Sequence, residues 1–214
     1  MVRRTKEEAQ ETRNRLLDAA ELLFQAQGVS QTSLQQIAHQ AGATRGAIYW
    51  HFKDKAALFN AMMERVKLPM EAAVQEAAGA DASIDGVELM MVEALKLMTR
   101  DPQVRRVFDI ATHKVEYTHD MASVQQRHLV ARNACVVDFE RAMLAEARRT
   151  RRRMPIPAAA AAHGLHALIS GLIQNWLLDP DEFDLVATGR RAFRVYLSGL
   201  GFAGGPEPTS ADQR

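Results

Sequence analysis

The chain of 214 residues holds a single cysteine, Cys135. One thiol excludes an intrachain disulfide and a cysteine-based zinc site, and it fits a reducing compartment. Long apolar runs are missing too, since no stretch approaches the roughly 20 residues needed to span a bilayer. The N-terminus is a charged helical pattern without a signal-peptide core, so a cytoplasmic protein with no membrane partner is expected. Net charge is nearly absent, +1 at pH 7. That excludes bulk attraction to nucleic acid, and any affinity for DNA must come from local placement of basic groups. Strand alternation is found nowhere. Enzyme signatures are lacking as well: there is no glycine-rich phosphate loop, no HExxH, no GxSxG and no nucleophile with a local base. No catalytic residue and no cofactor is therefore assigned.

What the chain does have is helical periodicity, and 47% hydrophobic residues are ample for a core. The most informative stretch is 32–58. Leu34, Ile37, Ala38 and Ala41 recur at three- and four-residue spacing and form one apolar face. Thr32 with Gln35 three residues later fits a capping box that starts this helix near Ser33. Gly42 accepts a left-handed conformation at no steric cost and stops it, which leaves a turn over 41–43. Thr44 then caps a second helix to about Phe52, with Ile48 and Phe52 inward and Arg45, Tyr49 and Trp50 or His51 more exposed. Tyrosine hydroxyl and imidazole suit phosphate contact, and Arg45 near the helix N-terminus can reach a guanine edge. Gly46 costs this helix about 1 kcal/mol relative to alanine, an expense that close approach of the backbone to DNA would explain. Asp54 caps a third helix and puts Lys55 in its first turn as a phosphate clamp. The DNA-binding set is Thr32, Thr44, Arg45, Gly46, Ala47, Tyr49, Trp50, His51 and Lys55. The plain alternative is a helical hairpin with Tyr49 and Trp50 in its core.

Upstream, Leu16, Leu17, Ala20, Leu23 and Phe24 share a helix face that stops at Gly28, completing a three-helix unit. An arm of Arg3, Arg4 and Lys6 precedes it, either adding phosphate contacts or remaining a solvated terminus. Over residues 1–60 eight basic residues face six acidic ones, a net of +2, so the electrostatic footprint is narrow.

Beyond Asp54 a connector helix runs toward Lys67 and is interrupted by Pro69, which lacks an amide donor and clashes with the preceding turn. A small-residue loop at 79–86 is followed by helical patterns at about 87–99, 102–117 and 120–149. Two further helices, about 157–178 and 183–200, flank the Asp179, Pro180, Asp181 break, and a polar tail follows at 204–214. The last two carry apolar residues over several faces, including Leu165, Leu168, Leu172, Ile173 and Trp176, then Phe193, Val195, Tyr196 and Leu200. Such helices need neighbours on several sides, namely a core and a partner subunit. In the middle helices Met90, Met91, Ala94, Phe108, Thr112, Cys135, Phe139, His166 and Ser170 fall at helical spacing. They form either a small-molecule pocket, an apolar wall with sparse polar groups, or a plain core.

Two groups invite other roles. His163 with His166, and His113, Glu116, His119 and Asp120, have ligand-like spacing, but the first pair lacks a local third ligand and a helix end splits the second, so no metal is assigned. Arg148, Arg149, Arg151, Arg152 and Arg153 sit at the end of the long helix, where cations complement the macrodipole. An ionic contact across a dimer is the alternative.

The string TSLQQIAHQAGATRGAIYWHFKDKAAL at 32–58 resembles the DNA-binding domain of TetR-family regulators almost position for position. Upstream, RTKEEAQETRNRLLDAAELLFQAQGVSQTS at 4–33 is similar to the multidrug-efflux branch of that family. Ala43 departs from it: the family more often has valine packing the turn, so the core here is slightly smaller. RRVFDIATHKVEYTHDM at 105–121 resembles the segment of efflux-branch regulators that lines the drug cavity, and GLIQNW at 171–176 resembles their penultimate helix.

The resemblance implies an all-α protein. A three-helix helix-turn-helix domain with its N-terminal arm would occupy 1–53, a connector helix with a larger ligand-binding and dimerisation domain 54–203, and a disordered tail 204–214. It further implies a homodimer through the last two long helices, a palindromic double-stranded operator and a hydrophobic small-molecule inducer. Phe108, Thr112, Cys135, Phe139, His166 and Ser170 carry over as pocket positions. His166 and Ser170 lie where members often carry aromatic and acidic groups, so a different ligand range is implied. The expected function is a repressor of a multidrug efflux operon, released by hydrophobic small molecules. A regulator of lipid or aromatic metabolism with one narrow natural ligand, an architectural DNA binder and an enzyme are the alternatives.

Overall fold

Among residues 6–78 and 83–202, which the computed structural model describes, the regular structure is helical throughout. The chain divides into two compact units, one of Met1–Glu71 with Asp101–Val130 and the other of Ala72–Arg100 with Ala131–Arg214.

The first unit is built on α1 (Lys6–Gln27), whose residues Leu16, Leu17, Ala20 and Phe24 are completely buried. That face packs against α2 (Leu34–Gln40), α3 (Arg45–His51) and α6 (Pro102–His113). Phe24 also meets Phe59 of α4 (Lys55–Ala78) with ring centroids 6.2 Å apart. Short helices need strong ends, because a seven-residue helix is marginal in water. α2 starts at Ser33, whose hydroxyl accepts from the amide of Gln36 while the Gln36 side chain accepts from the amide of Ser33. It ends on Gly42 at φ 61°, where the Gly42 and Ala43 amides donate to the carbonyls of His39 and Ala38. This paired closure satisfies two otherwise orphaned carbonyls.

Several expected boundaries move. The capping box belongs to Ser33 and Gln36, one residue later than expected, because the Thr32 hydroxyl donates instead to the Gly28 carbonyl at 2.8 Å. Pro69 does not interrupt the connector, since α4 continues to Ala78; a proline removes one helical bond, and the bonds on either side carry the helix past it. α6 stops at His113, short of 117, as Lys114 turns its carbonyl to the Val29 amide at 2.9 Å. A short 3-10 turn at His119–Met121 precedes α7 (Ala122–Thr150). Gly86 lies inside α5 (Ile84–Arg100) and not in a loop. Residues 79–82, Arg3 and Arg4 of the arm and the expected tail lie outside the described residues.

In the second unit α9 (Leu185–Gly199) packs between α5 and α8 (Ala158–Leu178). Leu185, Gly189, Phe193 and Leu197 recur every fourth residue on its buried face. At Gly189 a Cβ would stand 2.5 Å from Leu95 Cδ1, so a larger residue there needs the Leu95 side chain to shift. Gly164 likewise admits the Tyr196 ring, whose hydroxyl donates to the Ala161 carbonyl at 2.8 Å. Glu88 of α5 accepts from Arg194 at 3.0 Å.

α7 closes as α2 does, with the Arg151 and Arg152 amides donating to the carbonyls of Arg148 and Ala147. Arg151 holds the left-handed position, at φ 52°, where glycine carries no Cβ penalty. Replacing Arg151 by glycine is expected to stabilise the protein by about 1 kcal/mol, raising Tm by about 2–4 °C. Calorimetry of Arg151→Gly beside Arg151→Ala checks it; the assignment fails if alanine stabilises as much as glycine.

Candidate nucleic-acid interface and effector-side residues

α3 is fixed from beneath and bare above. Ile48 is fully buried and Phe52 nearly so, while Thr44 accepts the Ala47 amide at 3.2 Å and opens the helix. With those residues inward, Arg45, Gly46, Tyr49 and Trp50 are exposed, Tyr49 at 49% and Trp50 at 73%. The Arg45 guanidinium lies over the Tyr49 ring, 5.8 Å from its centroid. Trp50 meets the half-buried His51 edge-on at 4.6 Å. Such stacking restricts long side chains before they meet a partner and adds about 0.5–1 kcal/mol at exposed sites. Arg13 of α1 covers Phe52 in the same way at 5.3 Å.

Gly46 has space around it: the nearest atom to a Cβ there would be Thr44 Oγ1 at 3.9 Å. The chain's own packing therefore does not demand glycine, and its cost to the helix is unexplained by anything inside the protein. A bare backbone on an exposed helix suits close approach to another molecule. Ala47 is half-buried and Thr44 exposed, with the Thr44 side chain engaged as a cap.

Two expected DNA contacts do not stand on this face. Thr32 is 1% exposed, and its hydroxyl is taken by the Gly28 carbonyl and the Gln27 side-chain amide. Lys55 is not a free clamp. Its ammonium donates to the carbonyls of Val29 at 2.7 Å, Thr32 at 2.9 Å and Ser30 at 3.2 Å, closing the turn between α1 and α2. Burial lowers the Lys55 pKa, against a raising effect from nearby Asp120. Arg13 and the highly exposed Lys53 are not among the site residues expected from sequence. Their only sequence signal is positive charge next to the helix-turn-helix.

The effector-side positions divide between the units. Phe108, half-buried, and Thr112, exposed, lie on α6 in the first. The other seven belong to the second. Met91 is buried on α5 beside half-buried Met90 and Ala94, and α7 carries exposed Cys135 and half-buried Phe139. On α8 the Ser170 hydroxyl lies 3.4 Å from Nδ1 of half-buried His166. His113 is paired with Asp109 at 2.9 Å. Among the described residues no three His, Cys, Asp or Glu are grouped to hold a metal, and no helix is long and apolar enough to cross a membrane.

A short helix seated on two others, with Arg, Tyr and Trp displayed on its outer face, is the arrangement of a helix-turn-helix DNA reader. Residues 16–62 match the bacterial regulatory proteins of the tetR family, and residues 84–202 match the C-terminal region of MAATS-type transcriptional repressors. The chain belongs to the TetR family of bacterial regulatory proteins and is a DNA-binding transcriptional repressor. It is 38% identical to the transcriptional regulator TtgR of Pseudomonas putida over 189 residues, 87% of this chain and 90% of that one. NalD, the secondary repressor of the MexAB-OprM multidrug efflux pump in Pseudomonas aeruginosa, superposes with a TM-score of 0.81 at 35% identity, over 91% of this chain and 98% of NalD. SmeT, the repressor of the Stenotrophomonas maltophilia multidrug efflux pump SmeDEF, in its complex with triclosan, matches at a TM-score of 0.72 and 30% identity, covering 92% and 98%.

Arg45→Ala is expected to weaken binding to the preferred DNA by about 1–3 kcal/mol and relax base preference at one position; an unchanged footprint contradicts a base-reading role. Lys55→Met is expected to lower Tm by several degrees through lost hydrogen bonds and to leave the salt dependence of DNA affinity unchanged. A slope smaller by about one unit would return Lys55 to the phosphates.

Proposed function

We infer that this repressor controls a multidrug efflux operon and leaves its operator when a hydrophobic small molecule binds. The exposed face of α3, with Arg45 stacked on Tyr49 beside bare Gly46, is the observation that carries DNA reading. Likeness to NalD and SmeT along nearly their whole lengths supports the efflux assignment. In this reading residues 1–53 engage DNA, 54–203 bind effector and dimerise, and the protein works in the cytoplasm.

Dimerisation through α8 and α9 is supported by apolar side chains left at the surface, Leu178 at 67% and Val195 at 72%. Two-fold symmetry then presents two copies of α3 to a palindromic operator, in successive major grooves roughly 34 Å apart. The inducer in this reading touches Phe108 and Thr112 of α6. It acts by favouring a geometry whose α3 spacing no longer fits, and each tenfold loss of operator affinity needs about 1.4 kcal/mol of preference for that released state.

Footprinting on the DNA upstream of the chain's own coding region tests this, with triclosan and a panel of hydrophobic drugs, dyes and phenolics. Two protected half-sites about one helical turn apart, lost with at least one compound, are expected. Phe108→Ala should shift the concentration that clears the footprint while the drug-free footprint persists. Protection that no compound relieves contradicts the efflux assignment, and an unshifted Phe108→Ala titration removes that residue from the pocket.

A further inference from the structure

Glu21 is a charged residue 1% exposed in the middle of α1. A buried carboxylate is tolerated only when donors surround it, and these donors come from two other helices of the first unit. Arg65 of α4 donates Nη2 to Oε1. Gln103 of α6 donates Nε2 to the same oxygen at 3.0 Å, and Arg106 of α6 places Nη1 3.5 Å from Oε2. Arg65 is steadied in turn by Asp18, at 2.7 Å. Three helices therefore meet on one charge.

The far end of α6 is also tied down. Lys114, the C-cap residue of α6, donates its amide to the Ile110 carbonyl while its own carbonyl accepts from the Val29 amide, and the Val29 carbonyl accepts from Lys55. Thus α6 is fastened near its start to α1 and α4 through Glu21, and at its end to the turn that leads into α2. Between the two fastenings lie Phe108 and Thr112, two and six residues beyond Arg106.

We propose that Glu21 is a positioning residue for operator binding, holding α6 on α1 and α4 so that the seat of α6 sets how α3 is presented to DNA. The proposal rests on the DNA-reading role argued above. If α6 shifts without opening the site to water, Glu21 keeps Arg65 but loses both donors on the α6 side, leaving Oε2 buried without a partner. An under-satisfied buried charge is costly, so the contact has a seated and a released state and few stable intermediates. A molecule that touches Phe108 or Thr112 acts on the helix whose neighbouring turn holds the carboxylate.

The test uses the full-length chain carrying Gln103→Ala with Arg106→Gln, which leaves Glu21 and Arg65 paired, and then Glu21→Gln with and without those changes. Operator affinity and affinity for scrambled DNA are measured at a temperature where melting curves show every variant folded. The α6-side variant should lose roughly tenfold in operator affinity with scrambled-DNA affinity unchanged, and Arg106→Lys should recover most of the loss. In the Glu21→Gln background the same changes should cost little more, because the groups act as a unit. Operator affinity within twofold of native in the folded α6-side variant, or fully additive losses, overturns the proposal. If Glu21→Gln fails to fold, the α6-side variant and its Lys rescue still decide it. Absence of selective DNA binding by the native chain overturns the repressor reading and the proposal with it, an outcome told apart because it needs no variant.

Discussion

A helix of seven residues does not hold itself together in water, and the reading face of this protein depends on one. α3 persists because its interior is supplied from outside. Ile48 and Phe52 are buried, Thr44 closes the N-terminal end, and the turn before it is locked by Gly42 and the amides of 42 and 43. Beneath that turn α1 provides a fully buried row of Leu16, Leu17, Ala20 and Phe24. The outer side chains of α3 can be few and particular because none of them is needed to keep the helix folded.

Electrostatics follows the same economy of placement. A chain of net charge +1 cannot rely on a diffuse positive field, so selectivity has to come from groups held in fixed places. Arg45 over Tyr49 and Arg13 over Phe52 are cations with restricted reach. Some other charges in the first unit are internal fasteners. Lys55 gathers three carbonyls, and Arg65, with Arg106 and Gln103, surrounds Glu21. Burial opposes the charge on Arg65, but Glu21 and Asp18 outweigh it and raise the guanidinium's pKa.

These two kinds of cation mark how far the amino-acid order can be read. Helix existence, the α2–α3 turn and the inward placement of Ile48 and Phe52 rest on spacing and cap chemistry within a few residues, and they are legible. The cap register slips by one because Thr32 and Ser33 are both good caps and Gln35 and Gln36 both good partners; the Gly28 carbonyl decides between them. The internal bonds of Lys55 are not legible from sequence because its acceptors lie 23–26 residues away. Glu21 gives no signal at all, its partners on α4 and α6 being 44 and 82 residues distant. The effector-side residues are legible as helical positions only. Periodicity cannot say which unit a helix joins, and α6 joins the one that carries the helix-turn-helix.

If the fixed outer face of α3 reads DNA for a chain of net charge +1, binding must depend on sequence and not on charge alone. The most direct measurement is fluorescence anisotropy of the purified protein against its own upstream DNA and against a scrambled duplex of equal length and composition, at one fixed near-physiological salt concentration. An affinity for its own site on the order of 10³-fold or more above that for the scrambled duplex is expected. Equal affinity for the two duplexes, falling together as salt rises, would contradict it and reduce the interaction to charge alone.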